Sequence, residues 1–101
     1  MGGGAYHEPM DKLSKKTKEL HRALNSLIEE LEAVEWYQQR VDATEDEKLR
    51  DILAHNRDEE KEHAAMILEW IRRNDKAMAE ELKTYIFTEG KITEIEEKEH
   101  D

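Results

Sequence analysis

The chain has 101 residues, a length that suits one small domain, and it contains no cysteine, which excludes disulfide bonds and thiolate metal sites. The net charge of −10 argues against binding to nucleic acid or to an anionic membrane surface and suits a protein that attracts cations. No apolar run reaches membrane length, and we recognise no signal peptide, so we expect a cytoplasmic protein.

Charged residues make up 42% of the chain and hydrophobic residues 37%, a balance that can indicate disorder. The hydrophobic residues recur at the helical period, however, which favours long amphipathic helices. The sequence predicts a flexible N-terminal segment over residues 1–10, a helical domain over 11–90 and a charged, weakly helical C-terminal tail over 91–101.

The first predicted helix begins near residues 11–14 and ends near 41–43. Its hydrophobic stripe keeps the helical period over many turns. The stripe consists of Leu13, Leu20, Leu24, Leu27, Ile28, Leu31 and Val34. His21 lies at the edge of this stripe without a carboxylate in helical register, so we expect it to be a packing residue.

Both flanks of this stripe carry side chains of interest. Glu30 and Tyr37 lie a heptad apart on one flank. Glu29, Glu32 and Trp36 form a line on the other side, where an exposed tryptophan among carboxylates indicates a further contact surface.

The second predicted helix follows after a short turn. The segment Thr44–Glu47 is typical of a capping box, with Thr44 as the N-cap and Glu47 reaching back to it. The helix runs to about Asn74, and the short turn predicts an antiparallel hairpin. Asn74 can cap a third, shorter helix over residues 77–87, and Gly90 then breaks the helical pattern.

Glu60 and His63 lie within the hydrophobic stripe of the second helix. That stripe consists of Leu49, Ile52, Leu53, Ile67, Trp70 and Ile71, and we expect Met66 and Trp70 to belong to the core. A carboxylate on a buried face costs several kcal/mol unless its charge is compensated. Residues spaced i, i+3 can reach one ion, so the pair predicts half of a di-metal motif. A salt bridge, or a helix end that leans into solvent, is the alternative.

A two-helix hairpin has no further helices against which to bury its apolar face, so we expect a C2 dimer. The predicted fold is all-α: an antiparallel two-helix hairpin plus a short C-terminal helix, dimerising into a ferritin-like four-helix bundle. Such di-metal bundles take a Glu from each of two helices and a Glu-x-x-His from each of the other two. Glu30, Glu60 and His63 supply half of that set.

A second group of polar residues lies on one flank of the second helix and consists of His55, Glu59 and Glu62. With Glu29 and Glu32 from another subunit, this group could form a secondary, oxygen-rich cation site. A solvated acidic flank explains it equally well. Tyr37 either hydrogen-bonds a ligand or contacts the metal, or it is an ordinary packed aromatic residue. For the second Glu-x-x-His, in the tail at Glu97 and His100, we expect no metal role.

Four segments resemble the encapsulated ferritins, the ferritin-like cargo of encapsulin nanocompartments. These segments are residues 29–37, 54–66, 68–75 and 85–90, and the resemblance extends from His7 to about Ile95. It implies a ferroxidase centre formed only between two subunits, a ring-shaped decamer of five dimers, and an encapsulin shell that stores the oxidised iron. Family members usually end in a linker and a shell-targeting peptide, and the sequence through Asp101 shows nothing similar.

The resemblance also implies roles for individual residues. It places Glu30, Glu60 and His63 at the iron-ligand positions with Trp36 and Tyr37 beside them, Glu29 and Glu32 where metal ions enter, and His55, Glu59 and Glu62 at a peripheral cation site. The function implied is a ferroxidase that oxidises Fe(II) with O₂. Oxygen and imidazole ligands suit iron and also admit Mn, Zn or Ca. The alternative is a non-catalytic helical oligomer with a structural divalent ion.

Overall fold

The structure, a computed structural model, describes residues 5–100; residues 1–4 and 101 lie outside this range. Over the described range a 3₁₀ turn at Met10–Lys12 precedes four α-helices. These are α1 (Lys15–Ala43), α2 (Glu47–Asn74), α3 (Lys76–Tyr85) and α4 (Ile92–Glu99). The long helices α1 and α2 pack against each other as the predicted hairpin, α3 packs on α2, and α4 on α3. The all-helical prediction is confirmed.

The four helices together form a thin body, with extents of 49 × 43 × 20 Å. None of the helices within residues 5–100 combines the length and the apolar character that crossing a membrane requires. Tyr6, in the predicted N-terminal segment, stacks on His21 with 4.0 Å between ring centroids. The packing role predicted for His21 is therefore confirmed. The domain boundaries stay predictions, and the first four residues of the predicted flexible segment lie outside the described range.

The helix starts correct two expectations. Asp46 is the N-cap of α2, and its carboxylate accepts from the N–H groups of Lys48 and Leu49 at 2.9 and 3.1 Å. The capping box predicted with Thr44 as N-cap is wrong because the helix begins later; the Thr44 hydroxyl accepts from the Asp46 N–H instead, at 3.2 Å. Likewise Asp75, not Asn74, caps α3.

Arg50 closes the turn between the long helices. Its Nε donates to the carbonyl of Val41 at 3.3 Å, and its Nη2 donates to the carbonyl of Thr44. These bonds satisfy carbonyl groups that the end of α1 would otherwise leave without a partner. The turn therefore fixes the register of the two long helices at the end of the hairpin where α1 ends and α2 begins.

After α3 the backbone turns through positive φ values at Phe87 (62°) and Gly90 (89°). Helix α3 ends at Tyr85, so it is shorter than the predicted 77–87, and Gly90 lies in the turn before α4 without being the residue that ends α3. Phe87 is fully exposed in the single chain.

Among the described residues only two hydrophobic side chains are buried, Ala64 and Ile71, and of these Ile71 is fully buried. Met66 and Trp70 are 65% and 40% exposed, so the prediction that they belong to the core is wrong for the single chain. The physical reason is the width of the stripe: one neighbouring helix covers only part of an apolar face that is wider than its own contact surface.

The uncovered hydrophobic side chains lie on two different sides of the hairpin. On α2, Met66 and Trp70 line a groove whose other wall includes Ala23 and Ser26 of α1. On α1 the exposed row consists of Leu24, Ile28 and Leu31. Leu24 lies about 100° round the helix from Ala23, so this row faces away from the groove.

Candidate metal centre

Three of the predicted ligands meet between the middles of α1 and α2. His63 Nδ1 lies 3.6 Å from Glu30 Oε2 and 3.7 Å from Glu60 Oε2. The Glu30 and Glu60 side chains are 25% and 24% exposed, and that of His63 is 44% exposed. The register of the hairpin therefore brings a carboxylate of α1 onto the Glu-x-x-His of α2. Their role as metal ligands stays a prediction.

The Glu30 carboxylate has an unmet need for a positive partner. Its Oε2 atom is buried and has no hydrogen-bond partner among the residues that the structure describes. Leaving a buried acceptor unsatisfied costs about 1–3 kcal/mol, and more for a charged group. A bound cation would remove that cost, and an imidazole with two carboxylates is a donor set that iron, manganese and zinc all accept.

The spacing of the three groups also fits a shared ion. The separations of 3.6 and 3.7 Å are too long for hydrogen bonds. Two ligand atoms that each lie ~2.1 Å from one metal ion are themselves about 3 to 4 Å apart. Both carboxylate oxygens therefore already lie at a distance from His63 Nδ1 that a shared ion requires.

A second cluster adjoins the first through the same imidazole. Glu59, Glu62 and His63 each offer an atom within 4.8 Å of the others, and all three are exposed. His63 Nε2 lies 3.9 Å from Glu59 Oε2, and His55 Nε2 lies 3.3 Å from Glu59 Oε1. The predicted secondary group of His55, Glu59 and Glu62 is thus joined by His63. The i, i+4 spacing of Glu59 and His63 was the signal in the sequence that could have revealed this link.

Glu29, Glu32 and Trp36 belong to neither cluster within residues 5–100. Glu29 Oε1 accepts from the amide of Asn25 at 3.4 Å, and Trp36 is 45% exposed. Their predicted part in guiding metal ions stays a prediction. Tyr37 is partly buried, with the guanidinium of Arg40 5.2 Å from its ring centroid, so a cation–π contact holds it.

His63 lies on the side of α2 that also carries Ile52, Met66 and Trp70, because these positions follow at three- and four-residue steps or their sums. Ile52 and Met66 are 58% and 65% exposed. The cluster therefore opens beside an uncovered hydrophobic surface as well as beside the exposed carboxylates of the second cluster.

In a comparison with known protein families, the model of the EncFtn-like family matches residues 5–89. The chain belongs to the EncFtn-like family. It is 66% identical over 90 residues to the encapsulated ferritin-like protein of Rhodospirillum rubrum. The matched region covers 89% of this chain and 64% of that protein. The chain thus spans slightly less than two thirds of that relative's length.

Two further comparisons concern EncFtn-like architecture and cargo. The crystal structure of protein ne0167 from Nitrosomonas europaea superposes with a TM-score of 0.84 at 61% identity, covering 88% of this chain and 98% of that one. The encapsulin nanocompartment cargo protein EncC of Myxococcus xanthus is 44% identical over 66 residues, 64% of this chain and 51% of EncC. This EncFtn-like chain is therefore similar to proteins named as encapsulin cargo.

Proposed function

We propose that the protein is a ferroxidase that oxidises Fe(II) to Fe(III) with O₂ and supplies iron for mineralisation inside an encapsulin shell. The observation that carries this proposal is the cluster of Glu30, Glu60 and His63, in which a buried carboxylate oxygen has no partner. Membership of the EncFtn-like family and the name of the Rhodospirillum rubrum relative support it.

The active unit in this proposal contains two chains. One chain offers two carboxylates and one imidazole, too few for two iron ions. Two-fold symmetry doubles them to four carboxylates and two imidazoles, which is the ligand set of di-iron helical bundles. The uncovered hydrophobic surface beside His63, formed by Ile52, Met66 and Trp70, is where the second chain would pack.

Each group has a distinct task. The carboxylates of Glu30 and Glu60 and the imidazole of His63 hold Fe(II) as substrate, and the anionic oxygens favour the more highly charged Fe(III). When two Fe(II) ions are bound, each gives one electron to O₂. We assign Tyr37 a catalytic role as a hydrogen-bond donor at the edge of the site. Outside it, the acidic residues Glu29 and Glu32 beside Trp36, and His55, Glu59 and Glu62, attract Fe(II) or hold Ca, Zn or Mn.

Assembly beyond the dimer follows from the second uncovered row. Packing through Ile52, Met66 and Trp70 leaves Leu24, Ile28 and Leu31 of α1 exposed. A second interface between dimers would cover them, and alternation of two interfaces closes a ring, which we propose to be a decamer. The name of the Myxococcus xanthus relative supports an encapsulin shell as the partner and a nanocompartment as the location, which we propose to be in the cytoplasm.

A non-catalytic oligomer with a structural divalent ion is the second candidate. It is favoured by one observation: three ligand residues already meet within a single chain, so one ion could bind without a partner. A structural site would bind metal and stabilise the fold without consuming O₂.

The test is anaerobic loading with Fe(II) followed by air, with absorbance and oxygen uptake recorded. We expect Glu60→Ala and His63→Ala to reduce the rate to that of iron in buffer. The chain contains its own matched control, since the string Glu-Glu-Lys-Glu-His recurs at residues 96–100. Glu97→Ala and His100→Ala, the equivalent changes in the tail, should leave the rate unchanged.

Two results would contradict the proposal. Oxidation by Glu60→Ala and His63→Ala at the parental rate would show that the site lies elsewhere. Stabilisation by Fe(II) without oxygen uptake in the parent protein would favour the structural ion.

A further inference from the structure

A row of hydrogen-bonded polar side chains connects α1 to α2 at a position between the turn and the metal cluster. Arg57 Nη1 of α2 donates to Gln38 Oε1 of α1 at 2.8 Å. Gln38 Nε2 in turn donates to Asp42 Oδ1 at 3.0 Å. Arg57 also holds Asp58, with Nε 3.0 Å from Oδ1 and Nη2 3.4 Å from Oδ2. The hydrogen bond between the Gln38 and Arg57 side chains thus links the two long helices.

The Arg57 side chain is well placed to make this tie rigid. It is 19% exposed, whereas the side chains of Asp58 and Lys61 are 59% and 58% exposed. The two hydrogen bonds that it donates to the Asp58 carboxylate orient the guanidinium towards α1. A mostly covered guanidinium that lost its acceptor on α1 would be left partly unsatisfied.

The position of this tie relative to the metal cluster gives it a consequence for the site. Glu30 and Gln38 are eight residues apart and therefore about 80° apart round α1. Arg57 and Glu60 are three residues apart, about 60° round α2. Both pairs make contacts between the helices, so the two contacts lie on opposite sides of the line along which the helices touch. Rotation of α1 that carried Glu30 away from His63 would press Gln38 towards Arg57, and the opposite rotation would pull Gln38 away from Arg57. The 2.8 Å bond therefore limits rotation in both directions.

We propose that Gln38 and Arg57 are positioning residues for the metal cluster, which set the rotation of α1 against α2 and thereby the separation of Glu30 from Glu60 and His63. The turn fixes the register only at the hairpin's closed end, and Glu30 lies more than three helical turns from it. This inference rests on the proposed function in that it takes the cluster to be the metal site.

The test is titration of the metal-free protein with Co(II), whose visible absorption reports the geometry of its ligands. We expect Gln38→Ala to weaken Co(II) binding about tenfold, the lower end of the effect of groups that orient metal ligands. We also expect the shape of the absorption band at saturation to change. Gln38→Glu keeps an acceptor for the guanidinium and should restore the parental affinity and band.

The neighbouring glutamine supplies the control. Gln39 donates to Glu35 within α1, at 3.4 Å, and makes no side-chain hydrogen bond across the hairpin within residues 5–100. Gln39→Ala should therefore leave both the affinity and the band unchanged. The metal-free unfolding temperature of Gln38→Ala should fall whether the bond positions ligands or only stabilises the hairpin, so the band at saturation is the deciding measurement.

The outcomes separate this proposal from the proposed function. If Glu60→Ala removes the Co(II) band while Gln38→Ala keeps the parental affinity and band, the metal site stands and the positioning role is overturned. If Glu60→Ala titrates like the parent protein, the site assignment fails and the positioning role fails with it.

Discussion

At the scale of single residues, Glu30 shows how the hairpin prepares for a cation. Its Oε2 atom is buried and has no hydrogen-bond partner within residues 5–100. His63 Nδ1 is 3.6 Å away, which is too far to hydrogen-bond. In the metal-free protein this carboxylate is therefore a source of instability, and a bound ion would reverse its effect.

Replacing Glu30 by Gln should stabilise the metal-free protein by about 1 kcal/mol, because the amide removes one negative charge from beside Glu60 and adds a donor. For a chain of this size that corresponds to a rise of about 4–8 °C in unfolding temperature. Zn(II) should raise the unfolding temperature of the parent protein and leave that of Glu30→Gln nearly unchanged. Thermal unfolding with and without Zn(II) measures both effects.

Glu35→Gln is the matched control, since Glu35 is an exposed carboxylate of α1 outside both clusters of the described residues. It should respond to Zn(II) as the parent protein does. A metal-free Glu30→Gln protein that unfolds below the parent protein would show that the carboxylate is satisfied after all.

Glu69 gives a second prediction for a single residue, and this one concerns pH. Its carboxylate accepts from Arg72 at 2.7 and 2.7 Å and from Arg73 at 2.6 Å. These hydrogen bonds lower the pKa of Glu69 from 4.5 to about 2. Because the folded pKa is below the unfolded one, the stabilisation is complete above about pH 4.5 and is lost as the pH falls towards 2.

We therefore expect Glu69→Gln to unfold at a lower temperature than the parent protein at pH 7, with a difference that shrinks as the pH falls from 4.5 to 2. Thermal unfolding over a pH series measures this. Glu80→Gln, which removes an exposed carboxylate of α3, should show no such convergence. A difference that is constant across the series would contradict the assignment.

At the scale of the helices, the start of α2 depends on Asp46. Its carboxylate satisfies two N–H groups of the first turn, whereas the Thr44 hydroxyl binds one N–H outside the helix. Asp46→Ala should therefore destabilise the protein by about 1 kcal/mol, the usual effect of losing an N-cap. Thr44→Ala should have a smaller effect. Denaturant unfolding of the two variants decides between them, and the reverse order would restore the capping box.

The sequence was sufficient to predict the long helices and the meeting of Glu30, Glu60 and His63, because helical period and a short turn determine both. It was not sufficient for features that depend on distances between helices. The bond between Gln38 and Arg57 needs the spacing and rotation of two helices, which no pattern along one helix contains. The exposure of Met66 and Trp70 likewise depends on how much of a stripe one neighbouring helix covers.

At the scale of the whole molecule, the two uncovered sides of the hairpin predict two separable interfaces. Met66→Lys places a charge in the groove beside His63 and should prevent the pairing that completes the iron site. Leu31→Lys places the same charge in the other row and should leave that pairing intact. Met66 and Leu31 are 65% and 54% exposed in the single chain, so either lysine is compatible with its fold.

In native mass spectrometry, Met66→Lys should no longer form the dimer that contains the site. Its iron oxidation, measured by oxygen uptake, should be lost as well. Leu31→Lys should form a smaller assembly than the parent protein and still oxidise iron at a rate per chain within about twofold of it. Equal loss of activity in both variants would show that the two rows do not serve different interfaces.

The 20 Å thickness of the chain has a consequence for when the proposed enzyme works. On the proposed function, a chain this thin completes its centre only by meeting another chain. While most chains are single, the number of complete centres would then rise with the square of the protein concentration. Dilute chains would then leave Fe(II) untouched, and crowded ones would oxidise it. A shell that gathers many copies into a small volume raises their local concentration without any new contact. On the proposed function, confinement itself would start the reaction, and it would keep the ferric product away from chains still waiting outside.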